Sequence, residues 1–361
     1  MKGEIELPTI QAKKSIALIA VGLLAYSLYL YHAGYQDVIE SLKSIKLSLF
    51  ALAALLALLG VLFDALAWRS IVLKFDYKVP IRDIFLIYLS CGFMNNLIPS
   101  GSFSGETARI YFLEKLDGGS RIGQSSATVA TTRIITAIPF FLGTAIGLAY
   151  LDLATNAPPW ALAICYSIAL VLLVLNGTFF AICFLDDWLE RIAFALIKYV
   201  EMLFPVRIDK SQCSRILGRF HHSMTLLAEH KKTLFISTFW ALAAWLCMTM
   251  VAVVVFLSMG VFIPLWAVLA VYSVMIFLQM LPIFLPGGLG VVDIVMSTLF
   301  TAIGLPVHTA VSSTLLIRLV QLWMLTSLGG VATAYLVKKI NREALIAGAE
   351  TNMTIYTGRR T

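Results

Sequence analysis

Asn95-Asn96-Leu97-Ile98-Pro99-Ser100-Gly101-Ser102-Phe103-Ser104-Gly105-Glu106 breaks one apolar run, and Leu285-Pro286-Gly287-Gly288-Leu289-Gly290-Val291-Val292-Asp293 breaks another. Both contain the spacing Pro-x-Gly-x4-acid. Each is followed by an arginine set in a later apolar stretch, Arg133 in Thr131-Thr132-Arg133-Ile134-Ile135 and Arg318 in Leu315-Leu316-Ile317-Arg318-Leu319. A charge at mid-membrane costs about 2.5–3.5 kcal/mol on insertion scales and is kept there for a task. The repeated pattern therefore marks the working site.

The composition identifies the solvent. Of 361 residues, 60% are hydrophobic and 13% charged, and the mean hydropathy is +0.90. A soluble globule of this composition would expose too much apolar surface, whereas a bilayer asks for runs of about 20 apolar residues per helix. Apolar segments fall near 15–33, 48–68, 84–98, 122–150, 160–185, 233–258, 265–285, 290–304 and 308–337. The first follows Lys13 and Lys14, is long enough to span and has no clear cleavage site, so it reads as a spanning helix and not a signal peptide. No stretch of soluble composition is long enough for a separate catalytic domain. Cys91, Cys165, Cys183, Cys213 and Cys247 show no CxxC spacing and read as small apolar residues, and His221, His222 and His230 lack acids or cysteines at ligand spacing. No metal and no cofactor is expected.

Lysine and arginine concentrate in five places: the N-terminus, the 69–83 loop, the 109–121 stretch, the 186–232 segment and the tail from Lys338. Only Lys43, Lys46, Arg133 and Arg318 lie elsewhere. The positive-inside rule puts the five rich segments, and both termini, in the cytoplasm. The stretch between 69–83 and 109–121 then enters and leaves on one side, which makes 84–116 a re-entrant hairpin turning at Pro99 and Gly101. Residues 265–304 begin and end outside by the same logic, forming a second hairpin that turns at Pro286, Gly287 and Gly288. Proline disfavours continued helix and glycine allows conformations that other residues resist.

The predicted fold class is therefore an all-α polytopic membrane protein, with about six spanning helices and two opposed re-entrant hairpins in an inverted repeat. Repeat 1 covers 48–150, a cytoplasmic amphipathic linker covers 186–232, and repeat 2 covers 233–340. Inverted repeats with broken helices meeting near the midplane are built for alternating access. The alternative, two ordinary loops joining two extra crossings, is disfavoured by segments 84–98 and 290–304, which are short for a span.

Several embedded polar groups are candidates for binding. Glu106 either caps the helix that resumes near Gly105 or pairs with Arg109, three residues on and on the same face. Arg133 and Arg318 each need a carboxylate, a phosphate or several carbonyls, so they either pair with Glu106 and Asp293 or hold a lipid phosphate. Asn95, Asn96 and Gln279 offer amides suited to a polar head group. Asp64 lies nearer a helix end and is expected to reach the interface. In 207–232, Cys213, Ile216, Phe220, Met224 and Leu227 recur at helical spacing opposite Arg215 and Arg219, which suits a helix on an anionic leaflet or an interfacial linker. The tail beyond Arg342 has no hydrophobic period and is expected to be mobile.

Asn95-Asn96-Leu97-Ile98-Pro99, Gly105-Glu106-x-x-Arg109, the basic-glycine stretch to Arg121, Arg133, the run Leu285 to Asp293 with Gly290, and Arg318 together resemble the flippase-like transmembrane domain of lysylphosphatidylglycerol synthases. The resemblance covers about residues 10–340. That family also includes stand-alone membrane proteins and archaeal members linked to dolichol-glycan assembly. There are departures: members often carry Glu-Arg-x-x-Asp where this chain has Thr132-Arg133-Ile134-Ile135-Thr136, and Glu where it has Asp293. The aminoacyl-transferring domain of the bifunctional synthases has no counterpart in the sequence, so lipid aminoacylation is not expected.

The expected activity is translocation of a polar-headed phospholipid between leaflets of the cell membrane. Arg133 and Arg318 would engage phosphate, while Glu106 and Asp293 balance them or meet a cationic head. A polyprenyl-phosphate or lipid-linked sugar translocase is the nearest alternative. An intramembrane lipid-modifying enzyme or a non-transporting scaffold belongs to another class, and no enzyme activity is expected. The expected partners are the bilayer and a lipid with a phosphate-containing head group, not nucleic acid, and a homo-oligomer is left open. Cysteines introduced at Lys115 and Gly119 should label only from the cytoplasm, and one at Gly304 only from outside. Labelling at Gly119 from outside would turn the first hairpin into a crossing.

Overall fold

A computed structural model describes residues 45–98, 103–119, 121–154, 210–280 and 286–357, with isolated positions elsewhere. The expected spans 15–33 and 160–185 lie largely outside the described residues, as do Pro99 and Gly101. The described regular structure is helical throughout: α1 Leu47–Val72, α2 Ile81–Leu97, α3 Phe103–Asp117, α4 Ile122–Ala154, α5 Lys210–Glu229, α6 Lys231–Ser258, α7 Leu265–Met280, α8 Val291–Ala302, α9 Val307–Arg318 and α10 Leu325–Thr357. Four stretches are long and apolar enough to cross a bilayer, Leu47–Phe75, Ile122–Tyr150, Lys231–Ser258 and Val307–Glu343. The helices on either side of the two breaks are shorter, at 17, 15, 16 and 12 residues for α2, α3, α7 and α8. None matches the length of about 20 residues that one crossing needs.

Local chemistry explains where these helices stop. Asp76 takes a left-handed conformation after α1, and Pro80 sets the extended backbone from which α2 starts. Gly118, Gly260 and Gly304 adopt positive φ just after α3, α6 and α8, a conformation that costs glycine little.

The central seam is α1 against α6. Along α1 the buried positions Ala53, Ala57, Gly60 and Ala65 recur at three- to five-residue intervals, and α6 answers with Ala241, Ala244 and Ala252. Small residues let two helices approach closely where no water is present to drive association. A Cβ on Gly60 would sit 3.0 Å from the Met248 side chain. Ser237 Oγ donates to the Ala67 carbonyl at 3.0 Å across the same seam. Large apolar side chains face outward on these helices, among them Leu55, Leu142, Leu246 and Val331. Such an outside suits lipid and not water.

Two apolar cores sit at opposite ends of this seam. One combines the end of α1 (Trp68, Ile71), the start of α6 (Leu234, Ala241) and Leu336 of α10 with residues of α2 and α3 such as Ile84, Ile87 and Leu113. The other joins the start of α1 (Ala53, Ala57), the end of α6 (Val251, Val255) and α9 with residues of α7 and α8 such as Val268, Val292 and Phe300. Each helical pair thus occupies its own end of the molecule. The loops that flank α2 and α3 meet: Lys78 N–H donates to Asp117 at 3.1 Å, Arg121 Nη1 donates to the Phe75 carbonyl at 2.7 Å, and Tyr77 OH donates to Glu114 at 2.9 Å. The pair α2–α3 therefore begins and ends at one end of the bundle.

Three readings of the sequence are changed. The final span is not one uniform helix, since Leu319–Met324 forms a π-helical segment directly after Arg318. The tail beyond Arg342 continues as helix to Thr357 instead of losing regular structure. The apolar face of α5 packs on protein: Met224 and Phe220 lie against Ala127, Ala130 and Ile134, and Thr131 Oγ contacts Met224 Sδ at 3.2 Å. A helix whose apolar face is covered by α4 has little of it left for a leaflet.

The pair α2–α10 is tied by Lys339 Nζ to Asp83 at 2.5 Å and by the Arg82 guanidinium over the Tyr335 ring. Closest approach is at Gly329, where a Cβ would lie 2.3 Å from the Leu89 carbonyl oxygen. Gly329→Leu should force the two helices apart and destabilise by about 1–3 kcal/mol or more. At Gly330 only the mobile edge of Phe93 is near, so Gly330→Ala should lower the melting temperature far less in the same detergent.

Candidate functional site

The second break shows how the backbone is satisfied without water. Gly287, Gly288 and Gly290 have φ of 60°, 64° and 84°, and a Cβ on Gly288 would meet Val292 at 2.4 Å. The chain thus turns through a left-handed path that only glycine follows cheaply. Asp293 caps the helix that resumes, accepting from Gly290 N–H at 2.9 Å. Its other oxygen accepts from Arg318 Nε at 2.9 Å, and Arg318 Nη2 donates to the Gly287 carbonyl at 2.6 Å. Both side chains are nearly inaccessible, at 10% and 5% exposure. This buried pair is committed to holding its own turn.

The first break is satisfied by a different residue. Asn95 Oδ1 accepts from Gly105 N–H at 2.7 Å and from Ser104 Oγ at 3.3 Å, so it caps α3 from the end of α2. A Cβ on Gly105 would fall 2.6 Å from the Asn95 amide, which explains glycine there. Glu106 is thereby released from capping, the role the sequence left open for it. One carboxylate oxygen accepts from Arg109 at 2.8 Å and the other faces Arg133 Nη1 at 3.5 Å. Arg109 is buried, with its guanidinium 4.4 Å from the Trp68 ring and 4.6 Å from the Tyr88 ring, which offsets some of its desolvation through cation–π attraction. Its Nε and Nη2 have no hydrogen-bond partner. Arg133 is different, since 39% of its side chain is accessible.

That accessible side opens into a cavity of about 250 Å³. Its wall is formed by Asp64 of α1, Arg133, Thr136 and Phe140 of α4, and Trp245 and Met248 of α6. Pro139 of α4 also lines it and withholds the N–H that would serve the Ile135 carbonyl. Asp64 is a residue whose importance sequence reading missed. Expected to reach the interface, it faces the same cavity as Arg133 instead. The available signal was that it is the only charge between Lys46 and Arg69.

The remaining predicted residues join the two halves. Asn96 Nδ2 donates to Thr326 Oγ at 2.7 Å, just beyond the π segment. Gly287 lies against Leu322 of that segment, and a Cβ on Gly287 would be 3.8 Å from the Asn96 carbonyl oxygen. The two breaks therefore meet. Gln321 donates to the Met248 carbonyl at 2.7 Å and accepts from Tyr272 OH at 3.3 Å, pinning the π segment to α6 and α7. The Gln279 and Pro286 side chains lie outside the described residues.

The two units match in layout and differ in state. Arg133 stands at the same position in α4, counted from Ile122, as Arg318 does in α9, counted from Val307. Arg318 is sealed against its carboxylate and a carbonyl, while Arg133 touches Glu106 at long range and faces open space. Arg318→Ala should cost about 3–5 kcal/mol, because it strands the buried Asp293 charge. Arg133→Ala should cost less than about 1 kcal/mol, since Arg109 still holds Glu106. Thermal unfolding of the two variants side by side checks this asymmetry.

Residues 15–329 match the family described as the lysylphosphatidylglycerol synthase TM region. The chain is 28% identical over 348 residues to a UPF0104 membrane protein of Pyrococcus horikoshii, covering 93% of this chain and 100% of that one. It is 24% identical over 341 residues to a UPF0104 membrane protein of Methanothermobacter thermautotrophicus, covering 92% and 98% respectively. A UPF0104 membrane protein of Methanocaldococcus jannaschii is 24% identical over 343 residues, with the same coverage. The chain belongs to the lysylphosphatidylglycerol synthase TM region family and is a multi-pass membrane protein.

Proposed function

We propose that this member of the family translocates a polar-headed phospholipid between leaflets, with Arg133 holding the phosphate. The supporting observation is the accessible guanidinium in an otherwise largely apolar cavity. Arg133 carries a full charge, has one long contact to Glu106, and faces a volume of about 250 Å³. A phosphate can take up that guanidinium in two parallel hydrogen bonds, which is the geometry arginine suits best. The cavity has room for a head group while the acyl chains stay in lipid.

In this reading 15–33, 48–68, 122–150, 160–185, 233–258 and 308–337 are the six crossings. The pairs α2–α3 and α7–α8 are re-entrant, entering from the cytoplasmic and outer faces, and both termini are cytoplasmic. The open Arg133 unit and the sealed Arg318 unit then represent one of two alternating states. In the other state the Asp293–Arg318 pair opens and Arg133 closes onto Glu106. Contact between the two breaks, through Asn96, Thr326, Leu322 and Gly287, links the two movements. The activity is physical transfer and needs no bond-making residue.

Vesicles containing the protein and a fluorescent phosphatidylglycerol test this by measuring how quickly inner-leaflet label becomes reducible from outside. Loss of a charge-assisted phosphate contact is worth about 1.5–3 kcal/mol, so Arg133→Ala should slow translocation about 10- to 100-fold while keeping near-native stability. Equal rates for wild type and Arg133→Ala, or no rate above protein-free vesicles, would count against the proposal.

A further inference from the structure

Asp64 is the charged cavity residue that phosphate binding by Arg133 does not use. It lies on α1 one helical turn before Trp68, the residue whose ring carries Arg109. Among the described residues it has neither an ion-pair nor a hydrogen-bond partner. The ionisable groups facing it are Arg109 and Glu106 from α3, Arg133 across the cavity from α4, and Tyr88 and Cys91 from α2. From α6 the cavity receives Ala241, Ala244, Trp245 and Met248, which do not titrate.

The charges of this group can be counted. With every member ionised, Arg109 and Arg133 balance Glu106 and Asp64, so the empty cavity is neutral. A phosphodiester carries one negative charge, and its entry would leave the filled cavity at minus one, away from water, where an uncompensated charge is costly. The carboxylates differ in how they can respond. Glu106 is held by both arginines, and protonating it would forfeit the only hydrogen-bond partner of a buried guanidinium. Asp64 has no such partner to lose.

We propose that Asp64 takes up one proton as the cavity binds a lipid phosphate and releases it as the lipid leaves, so that phosphate and proton cross together. The step forms one O–H bond on the Asp64 carboxylate with a proton from the water on the open side. The same bond breaks towards water on the other side. The filled cavity is then neutral in both states, and a proton gradient becomes a driving force for lipid movement. This inference rests on Arg133 being the phosphate site.

The test is proton uptake on binding. Full-length protein in detergent and dilute buffer, with a pH indicator, is titrated with a short-chain phosphatidylglycerol. Wild type should take up about one proton per lipid bound, and its affinity should fall about tenfold per pH unit across the range where uptake occurs. Asp64→Asn, which fixes the neutral form at nearly the same shape, should bind with a flat pH dependence and no uptake. Binding by wild type without proton uptake, or uptake undiminished in Asp64→Asn, overturns the proton role and leaves the phosphate site standing. The wild-type stoichiometry decides this even if the variant does not fold. Absence of lipid binding overturns both. In vesicles an imposed pH gradient should change the wild-type rate and leave Asp64→Asn unaffected. Translocation by wild type that ignores the gradient defeats proton coupling alone. Proton-linked binding without any translocation defeats the transport reading alone.

Discussion

A polypeptide that interrupts a helix within apolar surroundings must find partners for the N–H and C=O groups it frees, because no water is there to take them. This chain does so twice, and most of the features around the site follow from how each debt is met. At the second break Asp293 takes the Gly290 amide and Arg318 takes the Gly287 carbonyl. At the first break Asn95 takes the Gly105 amide. The substitution of a neutral amide for a carboxylate in that role is small in atoms and large in consequence. It leaves Glu106 available to the two arginines near it, and leaves Arg133 only loosely held.

The same two breaks set the mechanics. Each pair of short helices is anchored in its own apolar core, at opposite ends of the α1–α6 seam. Their tips converge on the π segment at Leu319–Met324, where Leu322 packs on Gly287 and Thr326 receives Asn96. A π segment is a frequent mark of a functional site within a long helix. Here it lies between Arg318, which controls one turn, and Thr326, which touches the other. Movement of either tip is therefore felt through one short stretch of backbone.

Membership of the lysylphosphatidylglycerol synthase TM region family fits a multi-pass architecture, and the cavity gives that architecture a chemical focus. Its lining is mostly apolar, with one accessible guanidinium and one unpartnered carboxylate on facing helices. The sealed pair Arg318–Asp293 shows what the same kind of charged pair looks like when closed. The two states of one device are displayed side by side in one molecule, which is the main physical support for reading it as a carrier.

Much of the fold was legible from the sequence because bilayer and backbone impose simple periods and lengths. The apolar runs 48–68, 122–150 and 233–258 are found as α1, α4 and α6, and the short segments beside the two Pro-Gly patterns are found as short helices. Even the glycines of the second turn were readable, since only a positive-φ path needs so many. The pairings of Glu106 with Arg109 and Arg133, and of Asp293 with Arg318, were foreseen as one of two options. Which pair is sealed was not legible. That depends on Asn95 reaching back from α2 to cap α3, a contact between helices that spacing along the chain does not encode. Asp64 was misjudged for the same reason. Its distance from a helix end suggested the interface, but the rotation of α1 against α4 and α6 turns it into the cavity. Periodicity fixes which residues share a face, and only packing decides what that face meets.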